Sequence, residues 1–316
     1  MSFSTEIKEE IIKKGVGGKC CKKAFLAGFI RSTGSIIKTE DGYGFECSTD
    51  MPNAMGYTLR LLKEIYSYEG GETFFDEDNL NKRYHYTADC IGPEAVDILF
   101  DLGILGYGEE GDEYELRLKS NKELLKKECC VKAFIKGMFI GSGSCTIPEQ
   151  IGSTTGYHLE VVFTHKVPAG EFAGHLASFN ILAKTISRRK NTVVYVKSSD
   201  EIKDFLALIN APMAVLKITD TMIEKQMSND ANRKRNCDLA NVSKSIVANE
   251  KYAQSILLID TTIGIETLSN ELQTVADMRL KYPEDTLSEL AERLGITKSC
   301  LNHRLRKINK IAEELE

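Results

Sequence analysis

The chain has 316 residues, of which 42% are hydrophobic and 28% are charged, and its formal net charge is −5. This length predicts two or three domains, and the composition is typical of a globular protein. The apolar runs are too short to span a bilayer and the N-terminus has no signal-peptide core, so we expect a cytoplasmic protein with no membrane partner. The negative charge does not exclude DNA binding, because the field that attracts phosphates is local.

The nine cysteines comprise two adjacent pairs, Cys20-Cys21 and Cys129-Cys130, and five single residues. No Cys-x-x-Cys spacing occurs, and no nearby histidine completes a zinc pattern. Adjacent cysteines rarely bridge each other, because the geometry is strained. We therefore expect reduced, mostly buried thiols, no metal site and no cofactor.

An internal repeat organises the first two-thirds of the chain, because two segments match at an offset of 109 positions. The first copy reads CCKKAFLAGFIRSTGS from residue 20, and the second reads CCVKAFIKGMFIGSGS from residue 129. Small residues such as Gly28 and Gly137 predict helices whose backbones pack closely. Gly34 and Gly143 mark places where a helix turns sharply into a strand.

The segments that follow the two copies agree in type, so each half is predicted as α-β-β-α-β-β-α. The first half has strands at 35–38, 45–49 and 84–87, and helices at 52–66 and 93–102. The second half has strands at 144–147, 158–164 and 193–196, and helices at 168–181 and 201–209. Proline near the start of a helix and β-branched residues in the strands support this assignment.

The repeat helix resembles the motif of the LAGLIDADG homing endonucleases, most closely in FLAGFIRSTGSI from residue 25. In that family two motif helices pack at a pseudo-twofold axis, and each brings one acidic residue that holds divalent metal ions over DNA. The matching positions here are Thr33 and Ser142, and the other motif acid is replaced by Arg31 and Ile140. We therefore expect no catalytic residue and no enzymatic activity, with a metal-dependent nuclease as the weaker alternative.

The strands of such a fold form a saddle that reads DNA in the nucleases, and here its predicted charge is uneven. No acid interrupts the basic residues of the second half, which are Lys184, Arg188, Arg189, Lys190 and Lys197. The first half places Glu72 in the corresponding region, followed by Asp76, Glu77 and Asp78, which we interpret as a solvated turn. The run from Arg188 to Lys190 is a second set of candidate DNA contacts, and a solvated turn is an equal interpretation of it. The domain is then at most a partial DNA contact, with protein docking or ligand sensing as alternatives.

A helix-turn-helix is predicted near the C-terminus. Thr286 and Glu289 form a capping box, Gly295 ends the first helix, and Thr297 or Ser299 caps the second. The apolar stripe of the second helix is Leu301, Leu305 and Ile308. A preceding helix at about 268–281 would support the pair, and the second helix would enter the major groove.

The exposed face of that second helix is basic, and no acid occurs from Thr297 to Ala312. Recognition helices meet base edges near their N-termini, so the base-reading candidates are Lys298, Ser299 and Asn302. The candidates for phosphate contacts are Arg304, Arg306, Lys307 and Lys310, and His303 lies on the same face.

A polar, helical connector between the two domains adds four phosphate-contact candidates, with an ordinary exposed linker as the alternative. These residues are Arg233, Lys234, Arg235 and Lys244. We predict LAGLIDADG-like halves at 1–107 and 108–215, the connector at 216–250 and the helix-turn-helix domain at 251–316.

The degenerate double motif, the basic connector and the helix LNHRLRKI together resemble the WhiA family over essentially the whole chain. The resemblance implies an α+β fold, with a pseudo-twofold LAGLIDADG homing-endonuclease-like domain of two αββαββα halves followed by an all-α helix-turn-helix domain. It also implies a bacterial, nucleoid-associated regulator of sporulation, cell division or chromosome segregation. Double-stranded DNA is its expected partner, and a second transcription regulator stays open as another.

Overall fold

The computed structural model describes residues 2–39, 42–69, 71–78, 83–108, 114–148 and 153–315. The chain divides into two compact units, Met1–Gln226 and Met227–Glu316, which we call unit 1 and unit 2. Within the described ranges, no helix is both long enough and apolar enough to cross a membrane.

Unit 1 contains two copies of one α/β arrangement. Helix α1 (Phe3–Lys14) precedes the first copy, which comprises α2 (Lys19–Thr33), β1 (Gly34–Thr39), β2 (Gly42–Thr49), α3 (Pro52–Tyr66), β3 (Glu72–Asp78), β4 (Arg83–Cys90) and α4 (Pro93–Asp101). A hairpin of β5 (Leu105–Tyr107) and β6 (Tyr114–Leu116) follows. The second copy comprises α5 (Glu128–Ser142), β7 (Gly143–Thr146), β8 (His158–Phe163), α6 (Lys166–Ala177), β9 (Lys184–Arg188), β10 (Asn191–Val196) and α7 (Ser199–Leu208). Both antiparallel sheets have the same order, β1-β2-β4-β3 and β7-β8-β10-β9, which confirms the predicted pseudo-twofold fold.

The structure corrects several local predictions. The acidic run 76–78 is not a turn, because it lies in β3, where Asp76 and Asp78 pair with His85 and Arg83 of β4. Pairing within a sheet overrides the low strand propensity of aspartate and glutamate, so composition alone misled the assignment. Helix α6 covers Lys166–Ala177 rather than 168–181, and neither α1 nor the hairpin of β5 and β6 was predicted.

Helices α2 and α5 pack against each other, and glycine permits their close approach. A Cβ atom on Gly28 would overlap the carbonyl oxygen of Phe134, and one on Gly137 would overlap the carbonyl oxygen of Phe25. These reciprocal contacts confirm the predicted close packing of the two backbones. Larger residues would force the helices apart and open the core that surrounds them.

Gly34 and Gly143 follow the two helices as predicted. Glycine is needed there because of the space available for a side chain and not because of an unusual backbone conformation. Their φ angles are both −85°, which is extended backbone that any residue adopts. A Cβ on Gly34 would overlap the carbonyl oxygen of Ile30, and one on Gly143 would overlap the Phe139 side chain. The missing side chain lets each strand leave directly beside the last helical turn.

Helix α1 ties the second half to the start of the next helix, α8 (Pro212–Thr262). The hydroxyl of Ser4 accepts a hydrogen bond from the backbone N–H of Cys145 in β7, at 3.3 Å. The carboxylate of Glu10 accepts the N–H groups of Met213 and Ala214 at 3.0 and 3.2 Å. Glu10 therefore supplies the negative charge that favours a helix N-terminus.

Unit 2 is all-α, as predicted. It contains α8 from Met227 onward, a 3-10 turn (Ile265–Thr267), α9 (Asn270–Lys281), α10 (Leu287–Arg293) and α11 (Lys298–Glu313). Its separate hydrophobic core is built from all of these helices, and its fully buried members are Ile256, Ile259, Val275, Ala276, Leu290, Leu301, Leu305 and Ile308. The division into units falls inside α8, and the predicted boundaries after residues 107, 215 and 250 stay predictions.

Candidate nucleic-acid interface

The turn between α10 and α11 is built from the capping signals that the sequence showed. The Thr286 hydroxyl accepts the Glu289 N–H at 3.3 Å, and the Glu289 carboxylate accepts the Thr286 N–H at 2.8 Å, which also lowers the pKa of Glu289. Gly295 has a φ of 63°, in the left-handed region that favours glycine. Thr297, rather than Ser299, caps α11. The capping box fixes the start of α10, and Gly295 and Thr297 fix the residue at which α11 begins.

The loop before α10 is held by contacts that no sequence pattern marks. The carbonyl oxygen of Asp285 accepts hydrogen bonds from Arg279 at 2.6 Å and from the Asn249 amide at 3.3 Å. The Asp285 carboxylate pairs with Nε of Arg293 at 2.5 Å. Arg279 is completely buried, and burial lowers the pKa of its guanidinium. Asp285 therefore joins α8, α9 and α10 and positions the first helix of the pair.

The face of α11 that points away from the unit 2 core is positively charged. Its buried face carries the predicted apolar stripe of Leu301, Leu305 and Ile308. The exposed residues of the helix before its acidic end are Lys298, Ser299, His303, Arg306, Lys307 and Lys310. Because no carboxylate lies among them, their charges add to one continuous positive surface, which we call the α11 face.

Two of the predicted contact residues on α11 are held by other helices of unit 2. The Arg304 guanidinium pairs with the Glu271 carboxylate of α9 at 3.0 Å and is only partly exposed. The side-chain oxygen of Asn302 accepts a hydrogen bond from the Tyr252 hydroxyl of α8 at 3.4 Å. Glu271 thus draws Arg304 toward α9, while Tyr252 orients the amide of Asn302 at the edge of the α11 face.

The four connector candidates all lie in α8 and are exposed, as the prediction of a helical connector requires. These residues are Arg233, Lys234, Arg235 and Lys244. Arg233 lies 3.8 Å from Asp230, and Arg235 donates a hydrogen bond to Asn232 at 2.9 Å. Both contacts are local and solvated, so they leave the guanidinium groups free to exchange partners.

In unit 1, the second set of candidates lies at the hairpin that joins β9 and β10. Arg188 ends β9, Arg189 adopts a left-handed φ of 56°, and Lys190 completes the turn. All three side chains are exposed. The hairpin is a solvated turn and also a basic one, so both interpretations of the run are compatible with its geometry.

Corresponding rows of backbone-paired residues differ in charge between the two sheets. In the first half, the residues in register across β2, β4 and β3 are Glu46, Asp89 and Glu72. In the second half, the residues in register across β8, β10 and β9 are Glu160, Tyr195 and Lys184. The same row is therefore acidic throughout in one sheet and carries both signs in the other.

The two degenerate motif positions lie at the C-terminal ends of the paired helices. The Thr33 hydroxyl donates to the carbonyl oxygen of Phe29 at 2.8 Å. Among the described residues, the Ser142 hydroxyl is buried without a hydrogen-bond partner. Neither group carries the negative charge with which a hard divalent cation is held.

Arg31, which occupies the place of the other motif acid, has a structural task. Its guanidinium donates to the carbonyl oxygens of Gly103 at 2.6 Å, Arg117 at 2.7 Å and Leu118 and Lys119 at 3.1 Å. Burial lowers the pKa of Arg31 to about 10. The side chain thus fixes the segment that joins the two halves.

The prediction of no metal site rested on spacing along the chain, and the structure brings distant cysteines together. The sulfur atoms of Cys20, Cys21, Cys129 and Cys130 all lie within 4.8 Å of one another. Five of the nine cysteines are buried, but Cys20 and Cys129 are exposed. The signal that could have found this cluster is the repeat itself, which places both pairs at the same position of packed helices.

Comparison with known proteins agrees with this architecture. Family models match at residues 19–105 (WhiA N-terminal LAGLIDADG-like domain), 131–228 (WhiA LAGLIDADG-like domain) and 231–312 (WhiA C-terminal HTH domain). Two relatives carry the name probable cell division protein WhiA. The one from Caldicellulosiruptor saccharolyticus is 38% identical, covering 100% of this chain and 96% of its own, and the one from Bacillus subtilis is 34% identical, covering 100% and 97%. The crystal structure of full-length WhiA from Thermatoga maritima is similar at 25% identity with a TM-score of 0.58, covering 99% of each chain. The chain belongs to the WhiA family.

Proposed function

We propose that the protein binds double-stranded DNA in a sequence-specific manner through the helix-turn-helix of unit 2. The observation that carries the proposal is the α11 face, an exposed basic surface directly after a well-capped turn. Lys298, Ser299 and Asn302 lie at the end of the helix that meets base edges in this motif. Arg306, Lys307 and Lys310 are then the phosphate contacts, and Arg304 supports the helix through Glu271.

Contacts to phosphates and contacts to bases can be distinguished by titrating the protein with DNA at several salt concentrations. Arg306→Ala should weaken binding to every sequence by about fivefold and lower the slope of log affinity against log salt by about one. Asn302→Ala should instead relax the preference at one base and leave the slope unchanged. The matched control is Lys126→Ala, which removes an exposed lysine of unit 1. Equal effects of both α11 variants on every DNA sequence would contradict specific recognition.

We further propose that the protein does not cleave DNA. The support is chemical, because two-metal cleavage needs carboxylates at the ends of the motif helices and hydroxyl groups stand at Thr33 and Ser142. Supercoiled plasmid incubated with the protein and Mg²⁺ or Mn²⁺ should stay supercoiled. Nicking that EDTA abolishes, and that scales with the protein through purification, would overturn this proposal.

The cellular role that we propose is transcription regulation, on the nucleoid, in sporulation, cell division or chromosome segregation. Its support is the helix-turn-helix together with relatives named as probable cell division proteins. Genomic fragments cross-linked to the protein in cells should concentrate at a limited set of promoters, and the α11 variants should lose that enrichment. Uniform coverage of the chromosome, without enrichment at promoters, would contradict a regulatory role.

A further inference from the structure

We propose that Cys20, Cys21, Cys129 and Cys130 bind one zinc ion as four thiolate ligands, two from each half of unit 1. The four sulfur atoms lie within 4.8 Å of one another. Each pair occupies the first turn of a motif helix, α2 or α5, and one cysteine of each pair is buried while the other is exposed. A search for metal-binding spacing along the chain does not detect this site, because no single segment carries more than two of the ligands.

The distances suit a single tetrahedral ion. Zinc binds thiolates at about 2.3 Å, so four sulfur atoms around it lie about 3.8 Å apart. The sulfur atoms lie at most 4.8 Å apart, so shortening each separation by at most about 1 Å brings them to this geometry. An iron–sulfur cluster places its own atoms between the cysteines and would hold them further apart.

Burial raises the pKa of the Cys21 and Cys130 thiols, so the metal ion itself has to displace their protons, and the surroundings offset the negative charge that results. Four thiolates around Zn²⁺ leave two net negative charges, and two helix N-termini with their partial positive charges converge on this point. The N-cap residues Gly18 and Lys127 make no side-chain capping bond, so the first-turn N–H groups can donate to sulfur. Lys19 and Lys22 flank the first pair, and Glu128, which precedes the second pair, is itself paired with Lys132 at 2.6 Å.

The site is distinct from the degenerate motif positions. Thr33 ends the helix in which Cys21 lies near the start, so the two are separated by about 20 Å of helix. A metal here would join the halves at one end of the helix pair, while Arg31 fixes their connecting segment near the other. Its role is therefore structural, and the closed loop of roughly 100 residues would restrict the unfolded chain.

Elemental analysis of the full-length protein, purified with a thiol reductant and zinc, tests the proposal. We expect about one zinc ion per chain, and replacement by Co²⁺ should give the visible absorption of tetrahedral cobalt with thiolate ligands. Cys20→Ser and Cys129→Ser, which change the two exposed ligands, should each reduce the zinc content several-fold. The matched controls Cys237→Ser and Cys300→Ser change cysteines outside the cluster and should retain the metal.

A cysteine variant could lose zinc because it does not fold, so the proposal is also tested on the unmodified chain. Zinc should protect four thiols from alkylation, and a chelator should expose them and lower the melting temperature of unit 1 while unit 2 is unaffected. Four free thiols with no bound metal under these conditions would overturn the proposal. So would two disulfides in the intact mass, iron with acid-labile sulfide, or equal loss of zinc in cluster and control variants.

Discussion

The two halves of unit 1 share one topology and differ in the surface that the topology presents. Their sheets have the same strand order and their motif helices make reciprocal contacts. The sheet row of the first half is nonetheless acidic, whereas that of the second half ends in Lys184 beside a basic hairpin. The packing of the helix pair and the strand order therefore do not dictate the charge of these rows.

The acidic row of the first half disfavours binding of DNA to that sheet. Glu46 and Asp89 are paired across β2 and β4, and carboxylates repel phosphates. Among the described residues of unit 1, the hairpin of β9 and β10 carries three consecutive basic residues, Arg188, Arg189 and Lys190. For unit 1, we therefore expect any DNA binding to involve the second half rather than the first.

Gly28 and Gly137 make equivalent contacts between α2 and α5, so their substitution should have equivalent effects. Gly28→Ala and Gly137→Ala should each destabilise unit 1 by about 3 kcal/mol, since each Cβ meets a backbone carbonyl oxygen that cannot move aside. Differential scanning calorimetry should show the unit 1 transition falling by similar amounts. Gly170→Ala is the control, because nothing lies near that position in α6 and alanine favours a helix. Clearly unequal losses of unit 1 stability in the two variants would show that the two glycine contacts are not equivalent.

The next substitution places the residue of the second half at the equivalent position of the first half. Arg31→Ile installs the residue found at the equivalent position 140 and should cost unit 1 about 2 kcal/mol, because carbonyl oxygens on the connecting segment lose their donors. Arg31→Lys should cost less, since it keeps the charge with fewer donors. Thermal unfolding measures both changes. An unchanged melting temperature for Arg31→Ile would show that the guanidinium has no structural task.

The third effect sharpens the contrast in surface charge. Arg188→Glu should weaken DNA binding by the full-length protein by about fivefold, whereas Glu46→Gln should leave affinity within about twofold. Fluorescence anisotropy at two salt concentrations measures both, and the loss for Arg188→Glu should shrink at high salt. If both substitutions are silent, unit 1 does not contact DNA and the hairpin is only a solvated turn.

The last prediction concerns the loss of folding stability at acid pH, to which His175 of the second half should contribute. His175 of α6 packs against the Phe134 ring, and burial lowers its pKa below the ordinary 6.5 despite Glu171, which raises it. The unfolded chain then binds more protons below pH 6.5, so this contribution to stability is complete above that pH and is lost as the pH falls. The loss should be under about 1 kcal/mol. Unfolding between pH 7 and 5 should depend less on pH in His175→Gln, and an unchanged dependence would exclude this histidine as its source.

Much of the candidate site could be predicted because its signals are local. Thr286, Glu289, Gly295 and Thr297 act on backbone groups within one turn, so their pattern shows where α10 and α11 begin and end. The exposed charge of α11 follows from helical periodicity once the apolar stripe is known. The pairing of Arg304 with Glu271 and of Asn302 with Tyr252 could not be predicted, because each partner comes from another helix.

Signals in the sequence predict the repeat, most of its secondary structure, the missing motif acids and the basic second helix of the helix-turn-helix, because periodicity and capping act over a few residues. The remaining features depend on the tertiary structure. It turned the acidic run 76–78 into a strand, gave Arg31 its four carbonyl partners and gathered four cysteines from two halves. Each of these features depends on which distant segments come into contact. The burial and hydrogen-bond energies of those contacts cannot be derived from a local sequence pattern.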